Sequence, residues 1–336
     1  MRGTGARLSG YVMSISSLDS ANEDSAPPGR EDSVQQLRHA RRPAGVREPA
    51  ADLAADDARS WAPKTTNCVF DVGLHKGEDT EFYLAKGYRV VAFEADPDLV
   101  RECRARFAPQ IAEGRLIIVE GAIAVPGTPP RITFYKNLRR SVWGTTDAER
   151  AGLNARLGAV SRAIEVDTVI FTEMFDRYGV PAFMKVDIEG ADAVVRDALK
   201  AARTLPPYLS IESDKTSLDG VAEEIDLLAG LGYQRFMAVQ QERIPNSVLE
   251  TWTVDDQPLR FRFRKASSGP FGPDLPGPWL DRTQIMDRYR RIYREYARWG
   301  DDSLARRVLT GSIIDRVGKA IGHSLPGWYD THARMD

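Results

Sequence analysis

The sequence lacks the features that mark disulfide-rich secreted proteins and membrane-spanning proteins. Only two of its 336 residues are cysteines, Cys68 and Cys103, so no disulfide framework is expected and a reducing cytoplasm fits. No apolar run approaches the roughly 20 residues that a helix needs to span a bilayer. The formal net charge is only -2, which gives no overall attraction to nucleic acid or to an anionic membrane. We therefore expect neither a nucleic-acid partner nor a membrane span.

The N-terminal region has few large apolar residues. Residues 1–60 are rich in Ala, Pro, Arg and acids, a composition that cannot offset the entropy lost when a chain becomes ordered. We predict a disordered leader over 1–60 and one globular domain over 61–266. Residues 267–336 begin as a Gly/Pro-rich crossing segment. They continue into an amphipathic helix and are predicted to form a helical C-terminal extension.

Short apolar segments alternate with helical patterns from residue 67 onwards. Five segments are predicted as strands: "CVFDVG", "YRVVAFEAD", "RLIIVEGAIAV", "AFMKVDIEG" and "YLSIES". The alternation indicates an α/β fold with a doubly wound, mostly parallel sheet. The stretch from 138 to 158 is predicted to be mostly loop. "YQRFMAVQQ" and "RFRFRK" are predicted to form a terminal antiparallel pair.

A turn with an acid and two glycines follows the first strand, in "VFDVGLHKGEDT". Ligands of open parallel sheets bind beyond the carboxyl ends of the strands, where Asp71, Gly73 and Gly77 would lie. Glycine lets the backbone come close to a ligand and adopt turns that other residues resist. Glu94 ends the second strand, where an acid can accept hydrogen bonds from two ribose hydroxyls. These residues predict a site for a cofactor that contains ribose.

The same turn lacks the Gly-x-Gly-x-x-Gly pattern of dinucleotide sites. Leu74 and His75 occupy the place of the middle glycine, and Glu78 and Asp79 would repel a pyrophosphate at the helix N-terminus. A cofactor without phosphates and with a cationic end, such as S-adenosylmethionine, would be tolerated. An NAD-dependent oxidoreductase stays open as an alternative.

Four stretches together resemble the FkbM-type family of S-adenosylmethionine-dependent methyltransferases: "VFDVGLHKGEDT", "VVAFEADP", "VEGAIAV" and "FMKVDIEGAD". The resemblance covers roughly residues 67–213. It implies a Rossmann-like, seven-stranded sheet with an antiparallel last strand, and methyl transfer, usually to a hydroxyl oxygen. His75 departs from an Asn of the family pattern, and Ala95 and Asp96 replace Pro-Asn. The cofactor-binding residues that it implies are Asp71, Gly73, His75, Gly77, Glu94, Ala95, Asp96, Glu120, Gly121 and Asp187.

Methyl transfer to an alcohol requires alignment, exclusion of water and removal of the hydroxyl proton. The two-residue period of a strand places Lys185, Asp187 and Glu189 on one face. Asp187 is the first candidate for the base and Glu189 the second. Alternatively, both acids cap the next helix or position its backbone. No metal is expected, although Asp187 with Glu212 and Asp214 leaves magnesium open.

The expected function is therefore O-methylation of a small molecule that carries a hydroxyl group, such as a sugar, polyketide, peptide or lipid. A non-catalytic binding or partner protein that kept the cofactor fold is the alternative from another class. His75 is expected near the methionine part of the cofactor. Ser141 and Trp143 are expected to border the acceptor pocket, unless Trp143 only packs.

Overall fold

A computed structural model describes residues 67–188, 192–214, 217–299 and 327–336. The predicted leader and Glu189 lie outside these residues. The strands are β1 (Cys68–Val72), β2 (Arg89–Glu94), β3 (Leu116–Glu120), β4 (Ala122–Ala124), β5 (Arg131–Asn137), β6 (Ser161–Ile170), β7 (Phe183–Val186), β8 (Tyr208–Glu212), β9 (Arg235–Gln240), β10 (Val248–Trp252), β11 (Pro258–Arg262) and β12 (Tyr329–Arg334). The α-helices are α1 (Glu78–Ala85), α2 (Pro97–Arg106), α3 (Ala108–Ala112), α4 (Ala148–Arg156), α5 (Thr172–Tyr178), α6 (Asp192–Ala201), α7 (Leu218–Gly230) and α8 (Arg282–Trp299).

Seven strands form the central sheet, in the order β3-β2-β1-β7-β8-β12-β9. Neighbouring strands from β3 to β8 are parallel, whereas β12 runs antiparallel to both β8 and β9. In the chain, helix α8 follows the other six strands of this sheet and precedes β12. The predicted fold class, with its antiparallel last strand and its C-terminal helix, is confirmed.

Both faces of the sheet are covered, which explains the continuous apolar strands. All five residues of β1 are buried; Val69 packs with α1 and α2, whereas Phe70 and Val72 pack with α5 to α8 on the opposite face. Helix α8 buries Ile285 and Tyr289, in the apolar stripe that its sequence predicts. Alternate side chains of one short strand thus contribute to two separate parts of the core.

The strand that completes the sheet is not the predicted one. The expected pair of "YQRFMAVQQ" and "RFRFRK" is wrong, because β9 pairs with β12, and β11 pairs with β10 in a separate two-stranded sheet. Five of the six residues of β12 are buried although its sequence, "YDTHAR", is largely polar. The hydroxyl of Thr331 lies 2.8 Å from that of Ser213 and 2.7 Å from that of Tyr289. These buried hydrogen bonds let a polar strand occupy the sheet interior.

Two further segments differ from the sequence prediction. The third predicted strand divides at Gly121 (φ 142°), so that β3 joins the central sheet and β4 joins a three-stranded sheet, β4-β6-β5. The stretch predicted as mostly loop contains α4. Its N-cap, Asp147, accepts a hydrogen bond from the backbone N–H of Glu149 at 2.8 Å, which satisfies a free donor of the first turn.

The Gly/Pro-rich segment after residue 266 packs on the core. The ring of Phe271 is stacked on Phe183 of β7, with 4.1 Å between centroids, and Asp274 accepts a hydrogen bond from Lys86 at 2.6 Å. Among the described helices, none is long and apolar enough to cross a membrane. The segment thus contacts both β7 and Lys86, the C-cap residue of α1.

We expect removal of residues 327–336 to abolish cooperative folding. The deletion takes away β12, leaves the facing edges of β8 and β9 unpaired, and removes a partner of the Ser213 and Tyr289 hydroxyls. Thermal unfolding followed by circular dichroism is the measurement. A matched deletion of only Met335 and Asp336, which follow β12, should keep the transition. A sharp transition in the longer deletion would contradict the role given to β12.

Candidate functional site

A cleft opens at the carboxyl ends of β1, β2 and β7, where the chain order of the sheet reverses. From β1 the chain proceeds to β2 on one side, and β7 pairs on the other. Open α/β sheets bind ligands at such a point. The cleft holds about 900 Å³ of empty space, its mouth included.

Gly73 forms the floor of the cleft, where no side chain fits. Its φ is +100°, and a Cβ atom placed on it would lie 2.0 Å from the carbonyl oxygen of Asp187. Its N–H donates to the carbonyl of Phe93 at 3.1 Å. The turn after β1 is thus held closely between β2 and β7. Gly77 serves a different purpose, because it is the N-cap residue of α1 and a Cβ there would lie 2.4 Å from the Phe107 ring.

The carboxylate of Glu94 joins the two loops that follow β1 and β2. Its oxygens accept hydrogen bonds from the backbone N–H groups of His75 and Asp96, each at 2.8 Å. Burial raises the pKa of Glu94, while the two N–H donors oppose that rise. Each carboxylate oxygen has a second acceptor position, so Glu94 can still receive hydrogen bonds from a ligand in the cleft.

Lys185 lies buried among carboxylates at the inner end of the cleft. Its ammonium is 3.2 Å from Asp79, 3.3 Å from Asp187 and 3.7 Å from Asp71. Burial alone would lower the pKa of Lys185, but Asp187, Asp79, Asp71 and Asp330 raise it well above its usual value. Lys185 is therefore a permanent ammonium that holds carboxylates in place.

Several buried carboxyl groups surround the one ammonium of Lys185. Burial raises the pKa of Asp71 to about 7; Lys185 opposes the rise, and Asp79 adds to it. One oxygen of Asp71 accepts from Thr80 at 2.6 Å, and the other is buried with no hydrogen-bond donor. Burial, then Asp187, raises the pKa of Asp330 well above its usual value. A cationic group of a ligand would be favoured beside this cluster.

His75 connects the turn after β1 to the segment after β5. It has a positive φ of 50°, unusual for a residue other than glycine. Its Nε2 lies 2.7 Å from the hydroxyl oxygen of Ser141, and its Nδ1 lies 3.3 Å from the Glu78 carboxylate. All three residues line the cleft. The wall of the cleft is therefore a hydrogen-bonded unit built from separate segments.

The family model for the methyltransferase FkbM domain matches residues 71–234, which include all but one of the residues that line this cleft. Over these residues, the chain matches the FkbM family of methyltransferase domains. The family resemblance seen in the sequence motifs is thereby confirmed.

Similarity to individual proteins is partial. The probable ribosomal RNA small subunit methyltransferase A of Methanospirillum hungatei JF-1 is 37% identical over 75 residues, which are 22% of this chain and 29% of that protein. The methyltransferase FkbM structure from Methylobacillus flagellatus KT has 19% identity and a TM-score of 0.29, over 48% of this chain and 37% of that one. An S-adenosylmethionine-dependent methyltransferase of Geobacter sulfurreducens, in complex with S-adenosyl-L-homocysteine, has 11% identity and a TM-score of 0.30, over 80% and 85% of the two chains.

Six of the ten cofactor-binding residues expected for the FkbM domain line its cleft. These are Gly73, His75, Glu94, Ala95, Gly121 and Asp187. Lys185, expected at the catalytic end, also lines it. The backbone turns after β1, β2, β3 and β7 bring these residues together, as expected for parallel strands that end at one edge.

The other four lie around the cleft of the FkbM domain without forming its surface. Asp71 is fully buried behind the floor, and Gly77 faces Phe107. Asp96 caps α2 through the N–H of Asp98 at 2.9 Å. Glu120 accepts a hydrogen bond from Arg104 at 2.7 Å on the partly exposed surface. A strand-end acid is visible in a sequence, but the direction of its side chain is not.

Several cleft residues of the FkbM domain were not identified from the sequence. Ser141 lines the cleft as expected, whereas Trp143 packs under Arg140, whose guanidinium lies 4.3 Å from the indole centroid. The additional lining residues include Phe134, Thr145, Thr146, Ile188 and Ala266. Ala266 adopts a positive φ of 72°, a backbone feature that carries no sequence signal. Within the described ranges, no group of three His, Cys, Asp or Glu side chains could hold a metal ion.

We expect Asp330→Asn to stabilise the protein increasingly as the pH rises. An acid whose pKa is raised by folding contributes stability below its unfolded pKa, near 3.9, and loses it as the pH climbs towards the folded pKa. Asparagine does not ionise, so the variant does not lose this stability as the pH rises. The variant should therefore melt a few degrees higher than wild type at pH 8, with a gain of about 2–4 °C per kcal/mol.

Thermal unfolding at pH 4, 6 and 8 tests this expectation. Glu102→Gln, an exposed acid on α2, is the matched control and should change the melting temperature little at any pH. A lower melting temperature for Asp330→Asn at pH 8, or a difference independent of pH, would show that Asp330 is held ionised.

Proposed function

We propose that this FkbM-domain protein uses S-adenosylmethionine to methylate a hydroxyl oxygen of a small molecule, such as a sugar, polyketide, peptide or lipid. The observation that carries the proposal is the acidic character of the cleft. Glu78 and Asp79 occupy the first turn of α1, and Asp71, Asp79 and Asp187 surround a single lysine. S-adenosylmethionine has an ammonium and a sulfonium and no phosphate. A dinucleotide would bring a pyrophosphate to the same acids.

Several groups of the cleft fit the parts of this cofactor. The free acceptor positions of Glu94 suit the two ribose hydroxyls, and the acids around Lys185 suit the methionine ammonium. Gly73 and Gly121 let neighbouring backbone segments pack closely at the floor, since Cβ atoms on them would lie 2.0 and 2.7 Å from backbone oxygens. When bound, the cofactor supplies an electrophilic methyl group. The protein must therefore align the acceptor, exclude water and accept one proton.

We assign the proton-accepting role to Asp187, in agreement with the sequence-based expectation. Its side chain is 45% exposed, whereas those of Asp71 and Asp79 are at most 4% exposed, so Asp187 is the acid of the cluster that an acceptor can reach. Asp187 would take the hydroxyl proton as the acceptor oxygen bonds to the methyl carbon and the bond between that carbon and the cofactor sulfur breaks, which leaves S-adenosylhomocysteine. Lys185 acts as a positioning residue, since its ammonium holds the Asp187 carboxylate at 3.3 Å. Glu189 is the second candidate for the base.

Glu94→Gln should weaken binding of S-adenosylhomocysteine by about ten- to a hundredfold, equivalent to roughly 1.4–2.8 kcal/mol. The amide keeps one acceptor oxygen but loses the charge that strengthens hydrogen bonds from the ribose. It also turns an N–H donor towards the backbone N–H of His75 or Asp96, which loosens the loops. Isothermal titration calorimetry measures the affinity.

Glu120→Gln is the matched control, because this acid also ends a parallel strand but is bonded to Arg104 outside the cleft. Its affinity for S-adenosylhomocysteine should equal that of wild type. An unchanged affinity in Glu94→Gln would remove Glu94 from the cofactor site. Tight binding of NAD by the wild type would overturn the methyltransferase proposal.

Asp187→Asn should lower the turnover of a hydroxyl acceptor by about 10²–10⁴-fold, the range for loss of a general base. Affinity for S-adenosylhomocysteine should change much less, because Asp71 and Asp79 stay beside Lys185. Methyl transfer from labelled cofactor to a panel of alcohols, with and without a chelator, is the measurement. Turnover should persist in the presence of the chelator.

His75→Asn provides the comparison, since it introduces the residue of the family pattern and breaks the Glu78–His75–Ser141 chain. If this variant loses turnover and Asp187→Asn retains it, His75 is the base. If no acceptor is methylated by the wild type although the cofactor binds, the non-catalytic alternative is favoured.

A further inference from the structure

Exposed aliphatic side chains are concentrated in one lobe beside the cleft, residues 131–162, which comprise β5, α4 and the start of β6. Four of the seven large apolar residues exposed in the described chain belong to this lobe. Leu138 is 60% exposed, Val160 57%, Val142 48% and Leu153 36%. Single exposed apolar residues need no explanation, but a concentration beside a functional cleft marks an interaction surface.

The tip of the lobe is an ordered structure. The N–H of Leu138 donates to the carbonyl of Val160 at 3.1 Å, which places these two exposed residues side by side. The buried amide of Asn137 accepts from the N–H groups of Arg139 and Arg140 at 3.0 and 2.8 Å. The tip therefore holds its apolar residues in fixed positions on the outside of the protein.

The tip also adjoins the mouth of the cleft. Val142 lines the cleft directly, and its neighbour Ser141 is hydrogen-bonded to His75 at 2.7 Å. Lys136, on β5, forms ion pairs with Asp96 at 2.8 Å and with Asp98, which fixes the lobe to the loop after β2. A partner bound to the tip would thus stand at the entrance to the site.

The lobe is strongly basic, which the charge of the whole chain conceals. Residues 131–162 contain seven arginine or lysine residues and two acids, in a chain with a net charge of -2. Arg139, Arg156 and Arg162 are exposed. Lys136 and Arg131 face acids, Arg131 at 3.4 Å from Asp167. The remaining excess of arginine calls for an anionic partner.

We propose that this lobe docks the protein on the surface of an anionic lipid bilayer. Aliphatic side chains enter the boundary between headgroups and acyl chains, and arginines contact lipid phosphates. The exposed apolar residues are aliphatic, and Trp143 is covered by Arg140 instead of offering a free ring on which a base could stack. These features favour a lipid surface over RNA. If the proposed function holds, docking would present lipid-bearing acceptors to the cleft.

The test is co-sedimentation of the full-length protein with vesicles of phosphatidylcholine alone or with about one third phosphatidylglycerol. We expect binding to the anionic vesicles that weakens with rising salt, since exposed charges are screened. Leu138→Ser with Val160→Ser, and separately Arg139→Glu with Arg162→Glu, should each lower the vesicle partition coefficient at least tenfold. All four residues are exposed, so the thermal transition should stay unchanged.

Val248→Ser with Arg260→Glu is the matched control, because Val248 is 40% exposed and Arg260 is exposed on the β10–β11 pair outside the lobe. This variant should bind vesicles like wild type. Absent binding, equal binding to neutral vesicles, or binding insensitive to the lobe substitutions would overturn the proposal. The proposal would also be overturned if the protein binds RNA but not vesicles, and if Arg139→Glu with Arg162→Glu abolishes that RNA binding. None of these readouts depends on methyl transfer, so failure here leaves the proposed function untouched.

Discussion

The ion cluster around Lys185 is the interaction on which the organisation of the site depends. One ammonium on β7 meets Asp71 on β1, Asp79 on α1 and Asp187 after β7. A buried charge is tolerated only when it is paired, so these elements must pack in one arrangement for the cluster to form. Because the acids outnumber the ammonium, the cluster also leaves the inner end of the cleft acidic. The same residues therefore contribute to the fold and to the charge of the cleft.

Hydrogen bonds from distant segments close the cleft around this cluster. Glu94 joins the loops after β1 and β2, and His75 joins the first of these loops to Ser141. Asp79 accepts a hydrogen bond from the N–H of Ser268 at 2.7 Å, which attaches the Gly/Pro-rich segment to α1. One end of the cleft is thus built by strand ends of the sheet. The opposite wall is built by segments that the sheet does not constrain.

The 131–162 lobe lies at one side of the cleft mouth and exposes its apolar and basic side chains there. Its ion pairs through Lys136 fix it to the loop after β2, while its exposed side chains point away from the core. A net charge close to zero for the entire chain would argue against any anionic partner. Most of the acids that balance this charge lie outside the lobe, however. Because salt screens charges beyond a Debye length of about 8–10 Å, a bound partner is affected mainly by the charges of the surface that it contacts. The charge of a local surface, and not the net charge of the whole chain, therefore indicates which partners that surface can bind.

The sequence by itself determined the five parallel strands β1, β2, β3, β7 and β8 and their alternation with helices, the turn at Gly73, and the acids at the strand ends. These features are local: burial on both faces makes strands apolar, and a backbone at positive φ selects glycine. The motifs were also sufficient to identify the family. For the same reason, six of ten expected cofactor residues line the cleft.

Only the tertiary structure decided which strand completes the sheet and which strand-end acids face the cleft. The polar strand β12 is buried because Thr331 finds hydroxyl partners on Ser213 and Tyr289, at 118 and 42 residues' separation in the chain. Glu120 turns to Arg104, while Glu94 turns to two backbone N–H groups. A sequence pattern records how much of a segment is buried. It does not record which distant groups will satisfy the polar atoms within that segment, because those partners exist only once the chain has folded.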